Sequence, residues 1–175
     1  MKDKAVAKMR EYFTKTSSRG EEFFEHTLEV LRRAEAILAG ENISSSFVRD
    51  VSVLGAIFHD IGIPASLEKH DSTDPEYQHQ EGPPITRRIL AELGVRPDIL
   101  ERVCYIVGNH HSRDAVDGVD FQIVYEADYL VNTAKGLADG SISRDEDTLA
   151  RSMEEHFVSS TGSRLLKELF RGGGR

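Results

Sequence analysis

Apolar residues recur along this chain at spacings of three and four, the period of helices with one buried face. Residues 3–15 carry Val6, Met9 and Phe13 on one face, and Thr16-Ser17-Ser18-Arg19-Gly20 breaks the run. Over residues 21–39 the apolar face holds Phe23, Thr27, Val30, Ala34, Ile37 and Leu38, with Gly40 placed as a C′ stop. Ser44-Ser45-Ser46 offers an N-cap to the most apolar helix, residues 47–58, whose inward stripe is Phe47, Val51, Leu54 and Phe58. Gly62 and Pro64 then turn the chain, and residues 68–78 read as a polar loop.

A further helix is expected from near His79 through Ile85, Ile89, Leu90 and Leu93 to Gly94. Pro97 opens the next at its favoured first position, with Asp98 and Glu101 suited to the positive end of the helix dipole. Residues 112–120 form a second polar loop, and residues 121–137 another helix. Ser143-Arg144-Asp145-Glu146 has the spacing of a capping box for a helix to about Phe157. Leu165, Leu166, Leu169 and Phe170 mark the last helix, and Gly172-Gly173-Gly174-Arg175 reads as a frayed tail. No run pairs as strands, so the expected fold is all-α.

Several polar groups interrupt these apolar stripes. His26 stands three residues after Phe23 and four before Val30, so it points inward with them. His59 and Asp60 end the most apolar helix. His79 stands at a helix start beside Glu81 and Gly82, and His110 continues the stripe Ile99, Val103, Ile106, Val107, with His111 adjacent. Asp128 shares a face with Phe121, Val124, Tyr125 and Val131. One inward histidine is ordinarily a satisfied core residue, but imidazoles and carboxylates are costly to bury without partners. A metal ion such as Fe, Mn, Co or Zn partners both at once.

The ordered set His26 … His59-Asp60 … Asp128 resembles the HD-domain superfamily, and His59-Asp60-Ile61-Gly62 is similar to its HDIG variant. His79 with Gly82, His110-His111 and Glu126-Ala127-Asp128 resemble the extended pattern of members with two metals. The resemblance covers roughly residues 20–137. It implies a compact HD-domain-like helical bundle with the metal site between core helices. The whole chain, 1–175, would be one domain, its core at about 20–137 flanked by N- and C-terminal helices.

The same resemblance implies two divalent transition-metal ions (Fe, Mn, Co, Ni or Zn). His26, His59, Asp60 and Asp128 would hold the first, and Asp60 would bridge to a second held by His79 and His110. His111 and Glu22 are possible additional ligands. Asp60 and His59 would be catalytic, and a metal-bound hydroxide would attack the phosphorus of a nucleotide or other small phosphoester, as a phosphomonoesterase or phosphodiesterase. Alternatives are an HD-type di-iron oxygenase acting on a small molecule and a non-catalytic ligand-binding module. Ile63 stands where many relatives of this type carry Lys, so a phosphate-contacting cation must come from elsewhere; Lys69, Arg87, Arg113 and Lys135 are the candidates. Asp117-Gly118-Val119 replaces the Gly-Tyr-Pro signature of the cyclic-dinucleotide branch.

Composition narrows the partners. A net charge of -8 argues against polymeric nucleic acid or a membrane surface, both of which favour basic clusters. No segment reads as a membrane span or a signal h-region, which makes the expected location cytoplasmic. Cys104 is the only cysteine, so no intramolecular disulfide can form, and its apolar neighbours mark a buried thiol.

Overall fold

The computed structural model describes residues 1–172; Gly173 to Arg175 of the expected tail lie outside the described residues. Among the described residues there are nine α-helices, one short 3-10 turn and no strand. They are α1 (Lys2–Thr16), α2 (Gly20–Gly40), α3 (Ser46–Phe58), α4 (Ile63–His70), α5 (Pro75–Glu92), α6 (Pro97–Val107), α7 (Val119–Asp139), α8 (Glu146–His156) and α9 (Ser160–Arg171). The 3-10 turn is Arg113–Ala115.

Helix α3 is the hub. Val51, Ser52 and Leu54 to Phe58 are all buried, as expected of a helix apolar on more than one side. It packs against α1, α2, α6 and α7, while α2 lies along α7 and α5 along α6. Phe13, Phe58 and Phe121 are among the largest fully buried side chains, and each such burial is worth about 1.5–3 kcal/mol. Ser45 caps α3 by accepting from the Val48 N–H.

The hydrophobic run around α3 needs a correction to the sequence reading. Ser46–His70 does have the length and mean hydropathy (1.2) of a membrane span, but 78% of that window is buried inside the fold. Its apolar length is core, divided by the turn at residues 59–62.

Other boundaries move for physical reasons. The expected loop at 68–78 is mostly helical: α4 runs to His70 and α5 starts at Pro75, leaving only residues 71–74 between them. Asp71 ends α4 in the left-handed conformation. His79 therefore sits one turn inside α5 rather than at its start, and Pro83 and Pro84 stand within the helix. Gly40 is not the left-handed residue after α2; Asn42 is, at φ 53°. Gly40 is required instead by close approach, since a Cβ there would lie 2.2 Å from Thr161 Oγ1. The cap of α8 is Asp145, which accepts from the Thr148 N–H at 2.7 Å, rather than Ser143.

Two buried carboxylates outside the His/Asp set tie the bundle together. Asp120 pairs with the Arg102 guanidinium through both oxygens, at 2.9 and 2.8 Å, which pins residues 112–120 onto α6. Glu126 accepts from the backbone N–H groups of Val158 (2.7 Å) and Ser159 (2.9 Å) and from Gln122 Nε2 (2.7 Å), anchoring the start of α9 to α7.

Candidate metal centre

Four elements deliver the inward histidines and aspartates to one place. His26 comes from α2, His59 from the end of α3, Asp60 from the following turn, and Asp128 from α7. His26 Nε2 lies 3.2 Å from Asp128 Oδ1, 3.4 Å from Asp60 Oδ2 and 3.3 Å from His59 Nε2. His59 Nε2 is in turn 3.3 Å from Asp60 Oδ2 and 3.6 Å from Asp128 Oδ1. The turn that carries His59 and Asp60 is held closely against α5. A Cβ on Gly62 would fall 2.4 Å from the Gln78 carbonyl oxygen, so only glycine fits there.

A second group lies beside the first. The donor atoms of His79, His110 and His111 all lie within 4.8 Å of one another, as do those of His26, His59 and Asp128. Asp60 joins the two groups. Its Oδ2 faces His26 and His59, whereas its Oδ1 lies 3.3 Å from His110 Nε2. His59 and His110 are buried, His26 and His79 half-buried, and His111 exposed.

The hydrogen bonds of the donor set bear on whether it suits a metal. His59 Nδ1 lies 3.0 Å from the Ala56 carbonyl, and His110 Nδ1 lies 3.0 Å from the Val107 carbonyl. A carbonyl only accepts, so each Nδ1 carries the proton, and in the neutral ring Nε2 keeps a bare lone pair. His110 Nε2 and His79 Nε2 are buried with no hydrogen-bond partner. In the neutral rings of His59 and His110, nitrogen lone pairs therefore face carboxylate oxygens at 3.3–3.6 Å, which is repulsive unless a proton or a metal cation lies between them. Bonds of ~2.0–2.2 Å to one ion set neighbouring donors ~2.9–3.5 Å apart. The residues fit a metal.

Titration behaviour follows the same logic. Burial alone would lower the His59 pKa, but Asp60 and Asp128 outweigh it and hold it at about 9. Burial pushes Asp60 up, yet the His59 and His110 rings bring it well below the ordinary carboxylate range. Asp128 is likewise lowered, against its burial, by the hydrogen bond from His26 and the charge of His59. His79 is pushed down to about 4 by burial and by His110, which leaves a neutral imidazole at physiological pH.

Above these groups opens a cleft of ≈ 570 Å³, reached by His26, Asp60, His111 and Asp128. Of the four cations considered from the sequence, Lys135 lines it. Lys69 is instead paired with Glu81 at 2.5 Å and Arg87 with Glu101. Arg113 lies in the 3-10 turn, exposed. Glu22 also lines the cleft, where the Arg19 guanidinium grips it at 2.6 and 2.9 Å.

Sequence reasoning missed Arg19, Gln78 and Asn132. Asn132 donates to Asp128 Oδ1 at 2.9 Å and so orients it; the spacing of four from Asp128 on one helix face was the available signal. Arg19 gave no signal, because it lies in the short break before α2. Cys104 is buried, away from the cleft, with its thiol pushed up by burial.

The model of the HD-domain family matches residues 23–133. The fold is similar to the crystal structure of a predicted HD superfamily hydrolase from an uncultured Thermotogales bacterium. The TM-score is 0.64 at 16% identity, covering 95% of this chain and 85% of that one. At that identity the likeness is one of fold. No curated protein matches.

Proposed function

Because the chain belongs to the HD-domain family, a superfamily typified by metal-dependent hydrolases, we propose that it is a phosphohydrolase acting on a nucleotide or other small phosphoester. One observation carries the two-metal form of this reading: the two oxygens of Asp60 face different donor groups, Oδ2 toward His26 and His59 and Oδ1 toward His110. His26, His59, Asp60 and Asp128 would hold one ion. Asp60, His79 and His110 would hold the second, with His111 alongside.

Divalent ions held there would neutralise charge on phosphoryl oxygens and supply acidified water as the nucleophile. The chain's own residues prepare the setting. The Ala56 and Val107 carbonyls fix His59 and His110 with their Nε2 lone pairs inward. Asn132 holds Asp128 by one oxygen. Lys135 places positive charge on the cleft wall to draw in an anionic group, while Arg19 is paired with Glu22. Glu22 and Glu25 stand beside them, and with a net charge of -8 they disfavour a long polyanion. Polymeric nucleic acid should therefore be a poor substrate.

The test is purification without oxygen, metal counting, and assay of a phosphoester panel with Mn²⁺ or Co²⁺ alongside assay with Fe²⁺ plus O₂. Phosphate release that chelator abolishes and metal restores, independent of O₂, is expected. Product formation that requires O₂ and iron, with no phosphate released from any panel member, would move the protein to oxygenase chemistry.

A further inference from the structure

Asp128 meets its neighbours through one oxygen. Its Oδ1 lies 3.2 Å from His26 Nε2 and 3.6 Å from His59 Nε2, and the same Oδ1 accepts from Asn132 Nδ2 at 2.9 Å. A carboxylate only accepts, so this contact decides which end of the Asn132 amide is nitrogen. The three contacts differ in kind. An imidazole nitrogen offers Asp128 a hydrogen only while it is protonated, and an ion held by His26 and His59 takes the lone pairs of both. With an ion there, Asn132 is the one side chain among the described residues that still donates to Asp128.

The other ligands are held differently. Backbone carbonyls of Ala56 and Val107 fix His59 and His110. The Asp60 carboxylate has only histidine nitrogens for side-chain partners among the described residues. Of the two carboxylates, Asp128 alone has a donor from outside the ligand set. That donor matters because the last torsion of an aspartate is broad and roughly two-fold, so an unheld carboxylate swings its oxygens out of line. Asn132 follows Asp128 by four residues on α7, a spacing that puts both side chains on one face. It takes one lone pair of Oδ1 and leaves the other for the side where the histidines stand. Being neutral, it does so without cancelling the charge that attracts a cation. Asn132 is itself exposed and lines the cleft, so it does not serve as core.

We propose that Asn132 is a positioning residue for one ion only. It strengthens binding of the ion held by His26, His59, Asp60 and Asp128, and leaves the ion held by Asp60, His79 and His110 unaffected. The inference rests on the two-metal reading and adds to it a residue that separates the two ions. Hydrogen-bonding partners of a metal ligand are worth about 10–100-fold in affinity.

Titration of the chelator-stripped full chain with Co²⁺, in competition with a chromophoric chelator, measures an affinity for each ion and records the Co²⁺ absorption spectrum. Asn132→Leu keeps the size of the side chain and removes the donor. It should weaken one ion by about 10–100-fold and leave the other within about twofold of the parent. The same fall should appear when Asn132→Leu is made in His79→Ala, which keeps only the first ion. Asn132→Gln carries the amide on one more methylene and should recover most of the loss. A general loosening of the fold would weaken both ions and would not be recovered by glutamine. Should Asn132→Leu fail to fold, Asn132→Ala removes the donor without adding bulk and is read in the same way.

Parent affinities for both ions in Asn132→Leu, an equal fall at both, or a glutamine variant as weak as the leucine one each overturn the inference. The ions bound by the parent are counted before any variant is titrated. A parent that binds a single ion overturns the two-metal reading and the inference with it, so the two failures are told apart.

Discussion

Stripping metal from this protein should expose a pH dependence of stability that the loaded form lacks. His59 Nε2 lies 3.3 Å from Asp60 Oδ2 and 3.6 Å from Asp128 Oδ1, with the residue only 1% exposed. Burial disfavours the imidazolium, but the two carboxylates prevail and raise its pKa from 6.5 to about 9. A proton at His59 thus stands in for the cation that the donors need. The folded pKa is the higher one, so the proton's contribution is complete below pH 6.5 and is lost as pH rises through about 9. At ~1.4 kcal/mol per pH unit, that shift amounts to about 3 kcal/mol.

Equilibrium urea unfolding of chelator-stripped and metal-reloaded protein, from about pH 6 to about pH 9, measures the effect directly. His59 should contribute a loss of about 3 kcal/mol across this window in the stripped protein, read as the difference from His59→Gln, and far less in the reloaded protein, because the ion replaces the proton. His79 and His111, pushed down from 6.5 to about 4, are neutral in the fold but protonate in the unfolded chain, so they add a smaller change of the opposite sign, complete by about pH 7.5 and shared by His59→Gln. Burial raises the Cys104 thiol, which adds a loss of the same sign only near the ordinary value of 9.0; repeating the series on Cys104→Ser removes it. The loss on raising pH through about 9 should vanish in His59→Gln. A flat profile for the stripped parent, or an unchanged slope in His59→Gln, would refute the reasoning.

His79→Ala and His110→Ala should each lose one of two ions while the His26, His59 and Asp128 donors keep the other; a variant with the parent's metal content by elemental analysis removes that histidine from the ligand set. Asp60→Asn replaces one of two opposed carboxylate oxygens with an NH₂ group, so turnover should disappear; activity within about tenfold of the parent, a barrier change of only ~1.4 kcal/mol, would show that Asp60 does not serve both groups. Glu126→Ala strands the buried N–H groups of Val158 and Ser159, and at about 1–3 kcal/mol each it should cost roughly 3 kcal/mol or more in denaturant unfolding. Glu126→Gln keeps one acceptor oxygen and should cost far less, with metal content unchanged in both; a loss below about 1 kcal/mol in the alanine variant would exclude the anchoring role.

The sequence alone determined the all-α class and the major helices, because each buries one face and that face repeats at the helical period. It also showed that His26, His59, His110 and Asp128 lie on apolar faces or at their ends. Elements without a clean periodic window escaped it. Helix α4 is eight residues long, and the first turn of α5 is hidden by Pro75, Glu76 and the polar residues around them. The extended run Ser46–His70 also looked different once its burial was known, since hydropathy does not distinguish a core from a bilayer.

Only the tertiary structure decided what those inward groups face. Periodicity reports the side of a helix a residue occupies, whereas ligation depends on atoms from separate helices meeting within a few ångströms. That is how Asp60 comes to divide its oxygens between two histidine groups. It is also how Lys69 and Arg87 came to be held in surface ion pairs, while Arg19, in the break between α1 and α2, reached the cleft and paired there with Glu22. Glu126 and Asp128, two residues apart on α7, show the same limit. One caps a neighbouring helix start and the other faces the histidines, because residues two apart on a helix point in directions about 200° apart and meet different neighbours.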